Sequence, residues 1–403
     1  MAVKTRVFLL GVLASLWLIP AAPVLAAEPQ LVASSAYASF PLSIDFHMSA
    51  QSDEKIVDVR LMYHVERESF TEVFNENLIN INKPDTSVEV SWSWNLRTVG
   101  YLPPGTELDY WWLITDEGGD VLETEPQHLV FSDTNHNWQQ IIQGRITLLW
   151  YEGSQEFAAE LMDAAQAAMV QLHDDTGASL REPVEIYIYN GSEDLQKALV
   201  SVQEWTGGVA FPLYDKIAIG IEPIVMDWGK RAIVHELTHM VTHQMTFNPY
   251  GDLPTWLNEG LSMYAEGDLE AGFKNYFSEA KAEDRLLSVR SLASPFSSFD
   301  DISRLSYAES YRIVEYLIKE YGPDKMFSLL NIFKEGSTGD NALLGVYGFD
   351  MGGLNDLWMD YVYNPPPSNP IDKVEINFAL VGLLVLVVLA LTTGGVWLWR
   401  VKH

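Results

Sequence analysis

The sequence contains no cysteine and few basic residues. The lack of cysteine among 403 residues excludes disulfide frameworks, thiol nucleophiles, iron–sulfur clusters and cysteine-ligated zinc. Lys and Arg number 25 against 55 Asp and Glu, for a net charge of −30. Because nucleic-acid binding needs clustered Lys and Arg, no nucleic-acid partner is predicted. A 48% apolar content excludes general disorder, and the length predicts two or three structured units.

Residues 1–26 are predicted to be a secretory signal peptide. Lys4 and Arg6 precede an apolar run from Val7 to Ile19, and small residues follow from Ala21 to Ala27. This succession of a basic, an apolar and a small-residue region is typical of signal peptides. A retained signal anchor is the alternative.

The C-terminal region predicts a single transmembrane helix over residues 376–399. The 22 residues from Phe378 to Trp399 carry no charge, and as a helix they would span roughly 33 Å, enough for a bilayer core. Basic residues in the tail 400–403 favour its placement in the cytoplasm. We therefore expect a single-pass type I protein of the cell membrane, with a Pro-rich tether over 364–375 and the larger part outside the cell. A buried soluble helix is the alternative.

Residues 28–135 predict an all-β sandwich of immunoglobulin or fibronectin type. Apolar residues alternate with polar ones from Val57 to Val65 and from Val88 to Trp94, as in half-buried strands. Pro103–Gly105 supplies one of the turns. This domain could position substrates, bind a partner or act as a spacer.

Residues 144–363 first alternate strand and helix patterns and then become almost entirely helical. Val184–Tyr189 predicts a strand, while Gly207–Phe211 and Lys216–Ile221 predict two paired strands. A helix is expected from about Gly229 to Gln244. This order predicts a mixed α+β domain, so the chain as a whole is multidomain.

The predicted helix contains the motif His-Glu-x-x-His. His235 and His239 are four residues apart, so they stand on one helix face about 6 Å apart, where two imidazoles can bind one metal ion. Glu236 lies beside that position and can accept a proton from a water bound there. His243 lies about 12 Å along the helix from His235, too far to share the ion. It is predicted to be a supporting or structural histidine.

Glu259 is the candidate third ligand. It follows Trp256, Leu257 and Asn258 in a second predicted helix that begins near Pro254. A carboxylate from this helix would complete a site of two His and one Glu. Such a site leaves a fourth position for water, as a catalytic zinc requires. The sequence therefore predicts one Zn²⁺ ion.

The two motifs resemble those of the gluzincin metallopeptidases, and most of all the bacterial peptidase MA-like family. The resemblance is carried by residues 229–267, and the order of elements over 145–362 fits the zincin fold. It implies that His235, His239 and Glu259 are the zinc ligands and that Glu236 is the general base.

The resemblance also implies a tyrosine that hydrogen-bonds the oxyanion. Tyr307 matches best and Tyr311 is the reserve, in the stretch Tyr-Ala-Glu-Ser-Tyr. The alternative is that both are aromatic contacts of a helix face.

The predicted function is zinc-dependent hydrolysis of peptide or protein substrates. The Gly-x-Met-Glu-Asn loop with which gluzincin aminopeptidases bind a free amino terminus is absent, and Gly207–Phe211 carries no carboxylate. As a sheet edge this segment could instead pair with an extended substrate, which favours an endopeptidase over an aminopeptidase. An ordinary hairpin is the alternative for the segment. The alternatives for the protein are an inactive zincin-fold surface binding or adhesion protein and a zinc hydrolase of another substrate. No oligomeric state is predicted.

Overall fold

The computed structural model describes residues 28–99, 102–200, 207–297 and 299–365. The predicted signal peptide, most of the tether, the transmembrane helix and the cytoplasmic tail lie outside the described residues. Within the described ranges, no helix combines the length and the apolar character that crossing a membrane requires. The chain divides into two compact units, one extending to Gln171 and including Ser179–Gln244, the other comprising Leu172–Ala178 and the chain from Met245 onwards.

Seven antiparallel strands in the first unit form one hydrogen-bonded sheet. They are β1 (Gln30–Ser39), β2 (Ser43–Val65), β3 (Asn75–Ile79), β4 (Asp85–Asn95), β5 (Thr106–Asp116), β6 (Val121–Glu123) and β7 (Gln127–Phe131). The single-turn helix α1 (Leu96–Val99) follows β4. Strand β2 connects the sheet, because its first half pairs with β1 and β4 while its second half pairs with β5 and β3. The register shifts between Gln51 and Ile56, where one half gives way to the other.

The two halves of this sheet close on a common apolar core. Alternate residues Ile44, Phe46 and Met48 of β2 are buried. The Phe46 ring lies 5.1 Å from that of Tyr110 on β5, although Tyr110 pairs with the other half of β2. The predicted β-rich N-terminal region is confirmed. The sandwich prediction needs one correction, because the two layers share β2 instead of forming separately bonded sheets.

A second sheet of five strands completes the first unit. It comprises β8 (Gln139–Gln143), β9 (Ile146–Trp150), β10 (Val184–Tyr189), β11 (Gly208–Phe211) and β12 (Lys216–Gly220), in the order β11-β12-β10-β9-β8. Strands β9, β10 and β12 are parallel, and parallel neighbours need long crossovers. Helices α2 (Gln155–Thr176) and α3 (Ser192–Ala198) lie in those crossovers. Strand β11 pairs with β12, as predicted, and the pairing is antiparallel. Among the described residues β11 is an edge strand.

The rest of the described chain is helical, as predicted. The helices are α4 (Met226–Thr246), α5 (Thr255–Ala265), α6 (Ala271–Ala282), α7 (Val289–Leu292), α8 (Asp300–Tyr321), α9 (Pro323–Lys334), α10 (Gly339–Tyr347) and α11 (Met351–Tyr363). Helix α8 packs against α5 and α6 and buries Ala308, Ile313 and Leu317 completely. It ends at Tyr321 and is followed by Gly322, whose φ of 84° suits a residue without a Cβ.

Candidate metal centre

Helix α4 presents both histidines of the motif on one face. The ring centroids of His235 and His239 are 4.9 Å apart and the rings are nearly perpendicular. Both side chains are half-buried, while Leu237 and Met240 on the same helix are fully buried. The buried residues fix the rotation of α4 about its axis. Both imidazoles therefore project from the same, partly exposed face of the helix.

Glu259 on α5 comes together with these histidines. One ligand atom from each of His235, His239 and Glu259 lies within 4.8 Å of the other two, and all three side chains are half-buried. Donors bound to one zinc at about 2.0–2.2 Å are at most about 4.4 Å apart. Small side-chain movements would therefore bring all three onto one ion. Two imidazoles and one carboxylate are donors that suit zinc, so the residues present fit the predicted metal.

Close packing next to Glu259 determines how α5 lies on α8. A Cβ at Gly260 would stand 2.5 Å from the carbonyl oxygen of Ser310 and 2.7 Å from a methyl group of Val314. Only glycine permits this approach. Trp256 and Leu257 on α5 are buried as well, which leaves Glu259 on the remaining face. The packing role of Gly260 was missed in the sequence, where it served only as part of a motif.

Glu236 points towards the edge strand. A Cβ at Gly208 of β11 would lie 2.9 Å from Glu236 Oε1 and 3.0 Å from its Cγ. The Glu236 side chain therefore lies directly against the backbone of β11 and would have to shift if residue 208 had a Cβ. This contact was not predicted, although a glycine within a strand is a signal of close approach.

The two candidate tyrosines differ in burial. Tyr311 is 5% exposed and belongs to an apolar cluster with Met263, Leu269 and Ala308. Tyr307 is half-buried at the edge of that cluster. These positions favour Tyr307 over Tyr311 as the side chain accessible to a substrate, and the role of Tyr307 stays a prediction.

Glu309, between these tyrosines, is a buried acid that was missed in the sequence. It is 0% exposed and accepts a hydrogen bond from the backbone N–H of Leu287 at 2.9 Å. Its Oε2 has no hydrogen-bond partner among the described residues. Burial raises the pKa of Glu309 to about 8, because a low-dielectric surrounding disfavours the charged form. The carboxyl is therefore mostly protonated at neutral pH.

His243, predicted to be a supporting or structural histidine, contacts a carboxylate outside the metal group. Its Nε2 lies 3.1 Å from the carboxylate of Glu68, in the loop that follows β2. Burial, together with the nearby Asp215 and Glu182, raises the pKa of Glu68.

Comparison with known proteins identifies the family. Residues 164–364, about half of the chain, match the family model of the Peptidase MA superfamily. A search of curated proteins finds no significant match.

Several solved structures are loosely similar. An M1 zinc metallopeptidase from Deinococcus radiodurans is 13% identical, with a TM-score of 0.36, over 83% of this chain and 93% of that one. Aminopeptidase A from Legionella pneumophila is 11% identical, with a TM-score of 0.37, over 83% of this chain and 51% of that one. An aminopeptidase N family protein from Idiomarina loihiensis is 9% identical, with a TM-score of 0.33, over 82% and 72% respectively.

The assignment rests on the sequence match, which includes both metal-site motifs. Residues 164–364 contain the His-Glu-x-x-His helix and Glu259, the residues that the structure groups together. The chain therefore belongs to the Peptidase MA superfamily, a family of gluzincin-type zinc metallopeptidases.

Proposed function

We propose that the protein is a zinc-dependent peptidase that hydrolyses peptide bonds within extended substrates, outside the cell. The observation that carries this proposal is the grouping of His235 and His239 of α4 with Glu259 of α5. Glu236, from the same motif as the two histidines, lies against an edge strand. The group can hold a metal, and the strand next to the carboxylate can hold a peptide.

The proposed chemistry assigns a proton transfer to Glu236. His235, His239 and Glu259 would hold the zinc ion, which when bound supplies a Lewis acid that polarises the scissile carbonyl and acidifies water. Glu236 accepts a proton from the attacking water as the oxygen–carbon bond forms. It then delivers that proton to the amine nitrogen as the carbon–nitrogen bond breaks. Tyr307 is proposed to donate a hydrogen bond to the negatively charged carbonyl oxygen.

Strand β11 is proposed to bind the substrate backbone. A free strand edge offers N–H and C=O groups to an extended peptide, and Gly208 of β11 lies against the general base. The strand, Gly-Val-Ala-Phe, carries no carboxylate to bind a terminal amine. Its composition supports cleavage within a chain over removal of single N-terminal residues.

Anchoring in the cell membrane is the second part of the proposal. It is supported by the basic-apolar-small order of residues 1–26 and by the uncharged run that ends before the basic tail 400–403. The full chain should then stay with membranes after a high-salt wash and be released by detergent. Release by salt alone would contradict the anchor.

The activity is tested with the full chain, its metal content and a peptide library. Wild type should contain zinc and cleave internal bonds, and blocking the peptides by N-acetylation should not reduce the rate. Glu236→Gln should keep the metal and lose about 100- to 10,000-fold in kcat, the range typical of a lost general base. Glu279→Gln, a change of the same kind at an exposed position of α6, should behave like wild type.

Two outcomes would contradict the proposal. If Glu236→Gln cleaves as fast as wild type, the carboxylate is not the base. If wild type binds zinc and cleaves no peptide in the library, the inactive binding protein is the better interpretation.

A further inference from the structure

The turn between β11 and β12 is attached to the same helix that carries the metal-site motif. Gln244 of α4 donates from its Nε2 to Asp215 Oδ1 at 2.7 Å. Its Oε1 accepts from the backbone N–H groups of Arg181 and Glu182 at 2.8 and 3.1 Å. These bonds fix the orientation of the buried amide. At the opposite end of β11, Gly208 lies against Glu236, so the strand is close to α4 at one end and its turn is hydrogen-bonded to α4 at the other.

The same turn is attached to the β-rich N-terminal region. The backbone N–H of Glu68 donates to the carbonyl oxygen of Leu213 at 2.7 Å. Tyr214, the next residue, packs against the apolar core of the seven-stranded sheet. The carboxylate of Glu68 accepts from His243 Nε2 at 3.1 Å. Glu68 therefore contacts the turn with its backbone and α4 with its side chain.

Three segments, the loop after β2, the turn and α4, each contact the other two. The loop after β2 contacts the turn and α4 through Glu68, and the turn contacts α4 through Asp215 and Gln244. Glu236 and Gln244 are about 12 Å apart along α4. Strand β11 begins next to Glu236 and leads to the turn that is bonded to Gln244. A shift of the turn would therefore change the distance between the edge strand and the general base.

We propose that Glu68 is a positioning residue for substrate binding. Through Glu68, the N-terminal β region fixes the distance between the substrate-binding strand and α4. This inference rests on the proposed function. Strand β11 runs from Gly208 at the base to Phe211 at the turn, so an antiparallel substrate runs the opposite way. The substrate residues on the N-terminal side of the scissile bond then lie towards the turn that Glu68 holds.

The test compares peptides that share one scissile pair. One series is lengthened on the N-terminal side and the other on the C-terminal side. In the zinc-loaded full chain, Glu68→Ala should raise KM about three- to tenfold for the first series, the effect of one partly exposed charge-assisted hydrogen bond. KM for the second series and kcat for both should change less than about twofold.

Two further variants separate positioning from a general loss of structure. Glu68→Gln keeps an oxygen that can accept from His243 and should restore most of the wild-type KM. Glu66→Ala changes an exposed neighbour in the same loop and should have no effect. Equal KM changes in both peptide series, or an unchanged KM in Glu68→Ala, would overturn the proposal.

Amide hydrogen exchange tests the positioning without any activity. Exchange at β11 and β12 should be faster in Glu68→Ala than in wild type and in Glu66→Ala, while exchange in α8 stays the same. Unchanged exchange at the two strands would overturn the positioning role. If wild type cleaves no peptide but exchange is still faster in Glu68→Ala, the proposed function is overturned and the positioning role remains.

Discussion

At the scale of single residues, the contact between Gly208 and Glu236 connects the proposed base with the proposed substrate strand. A Cβ at position 208 would stand 2.9 Å from Glu236 Oε1, so any side chain there would require the carboxylate to move. The carboxylate can therefore approach a peptide paired with β11, because nothing projects from the strand at this point.

Gly208→Ala should displace the Glu236 side chain and lower kcat by about 10- to 100-fold, because small misplacements of a catalytic group have effects of this size. Zinc content should not change. Gly272→Ala is the matched control, since a Cβ there meets nothing within 4 Å. Equal kcat values for the two variants would contradict the contact.

Glu309 should make stability depend on pH. Burial raises its folded-state pKa to about 8, above the ordinary value of 4.5 for a glutamate. The folded protein therefore keeps a proton that the unfolded chain loses as pH rises above about 4.5. Stability falls with rising pH until the folded pKa is passed, because ionisation within the buried site is unfavourable.

Glu309→Gln removes this dependence and leaves an oxygen to accept from Leu287. The free energy of unfolding of the variant minus that of wild type should be about 2–4 kcal/mol larger at pH 9 than at pH 5. Chemical denaturation of both proteins at the two pH values measures the difference. A constant difference in stability between variant and wild type would contradict a buried, protonated Glu309.

At the scale of elements, the placement of Glu259 depends on how closely α5 packs on α8. The carbonyl of Ser310 and the side chain of Val314 occupy the space that a Cβ at Gly260 would need. An overpacked contact between two helices is relieved by moving one of them, and α5 carries the carboxylate ligand.

Gly260→Ala should destabilise the protein by about 1–3 kcal/mol and weaken zinc binding. Gly251→Ala, which precedes the same helix and has open space around its Cα, serves as the control. Thermal unfolding and zinc titration of both variants measure the two effects. Wild-type zinc affinity in Gly260→Ala would show that α5 does not depend on this contact.

The metal-site helices could be predicted because helical spacing is local. Four residues separate His235 from His239, and one turn of helix places them together whatever the rest of the chain does. Glu259 could be proposed from its motif, but its approach to the histidines depends on packing that no spacing encodes. Glu309 accepts a hydrogen bond from Leu287, which lies 22 residues earlier in the chain. A helical periodicity does not indicate a contact between positions so far apart.

The sharing of β2 between two halves of its sheet was also missed. The alternation of Ile44, Phe46 and Met48 was available as a strand signal. What the sequence does not show is that one strand continues from Ser43 to Val65 through a change of register. Strand partners are set by long-range pairing, so the two predicted layers could not be recognised as one bonded sheet.

At the scale of the whole molecule, a bound zinc ion should raise the stability of the fold. A ligand that binds only the folded protein stabilises it by about 2.7 kcal/mol at 100 times its Kd. Removing zinc with a chelator should lower the unfolding temperature, and added zinc should restore it. A His235→Ala and His239→Ala double variant should show no response to either treatment, and the same response as wild type would contradict the site.

The central claim is that His235, His239 and Glu259 hold one zinc ion, and zinc titration of the full chain tests it most directly. Wild type should bind one equivalent. Glu259→Ala should bind zinc at least about 100-fold more weakly. Changing a residue that only supports a metal ligand weakens binding about 10- to 100-fold, and replacing the ligand itself is expected to have a larger effect. Glu279→Ala should match wild type. One equivalent bound by Glu259→Ala with wild-type affinity would contradict the account.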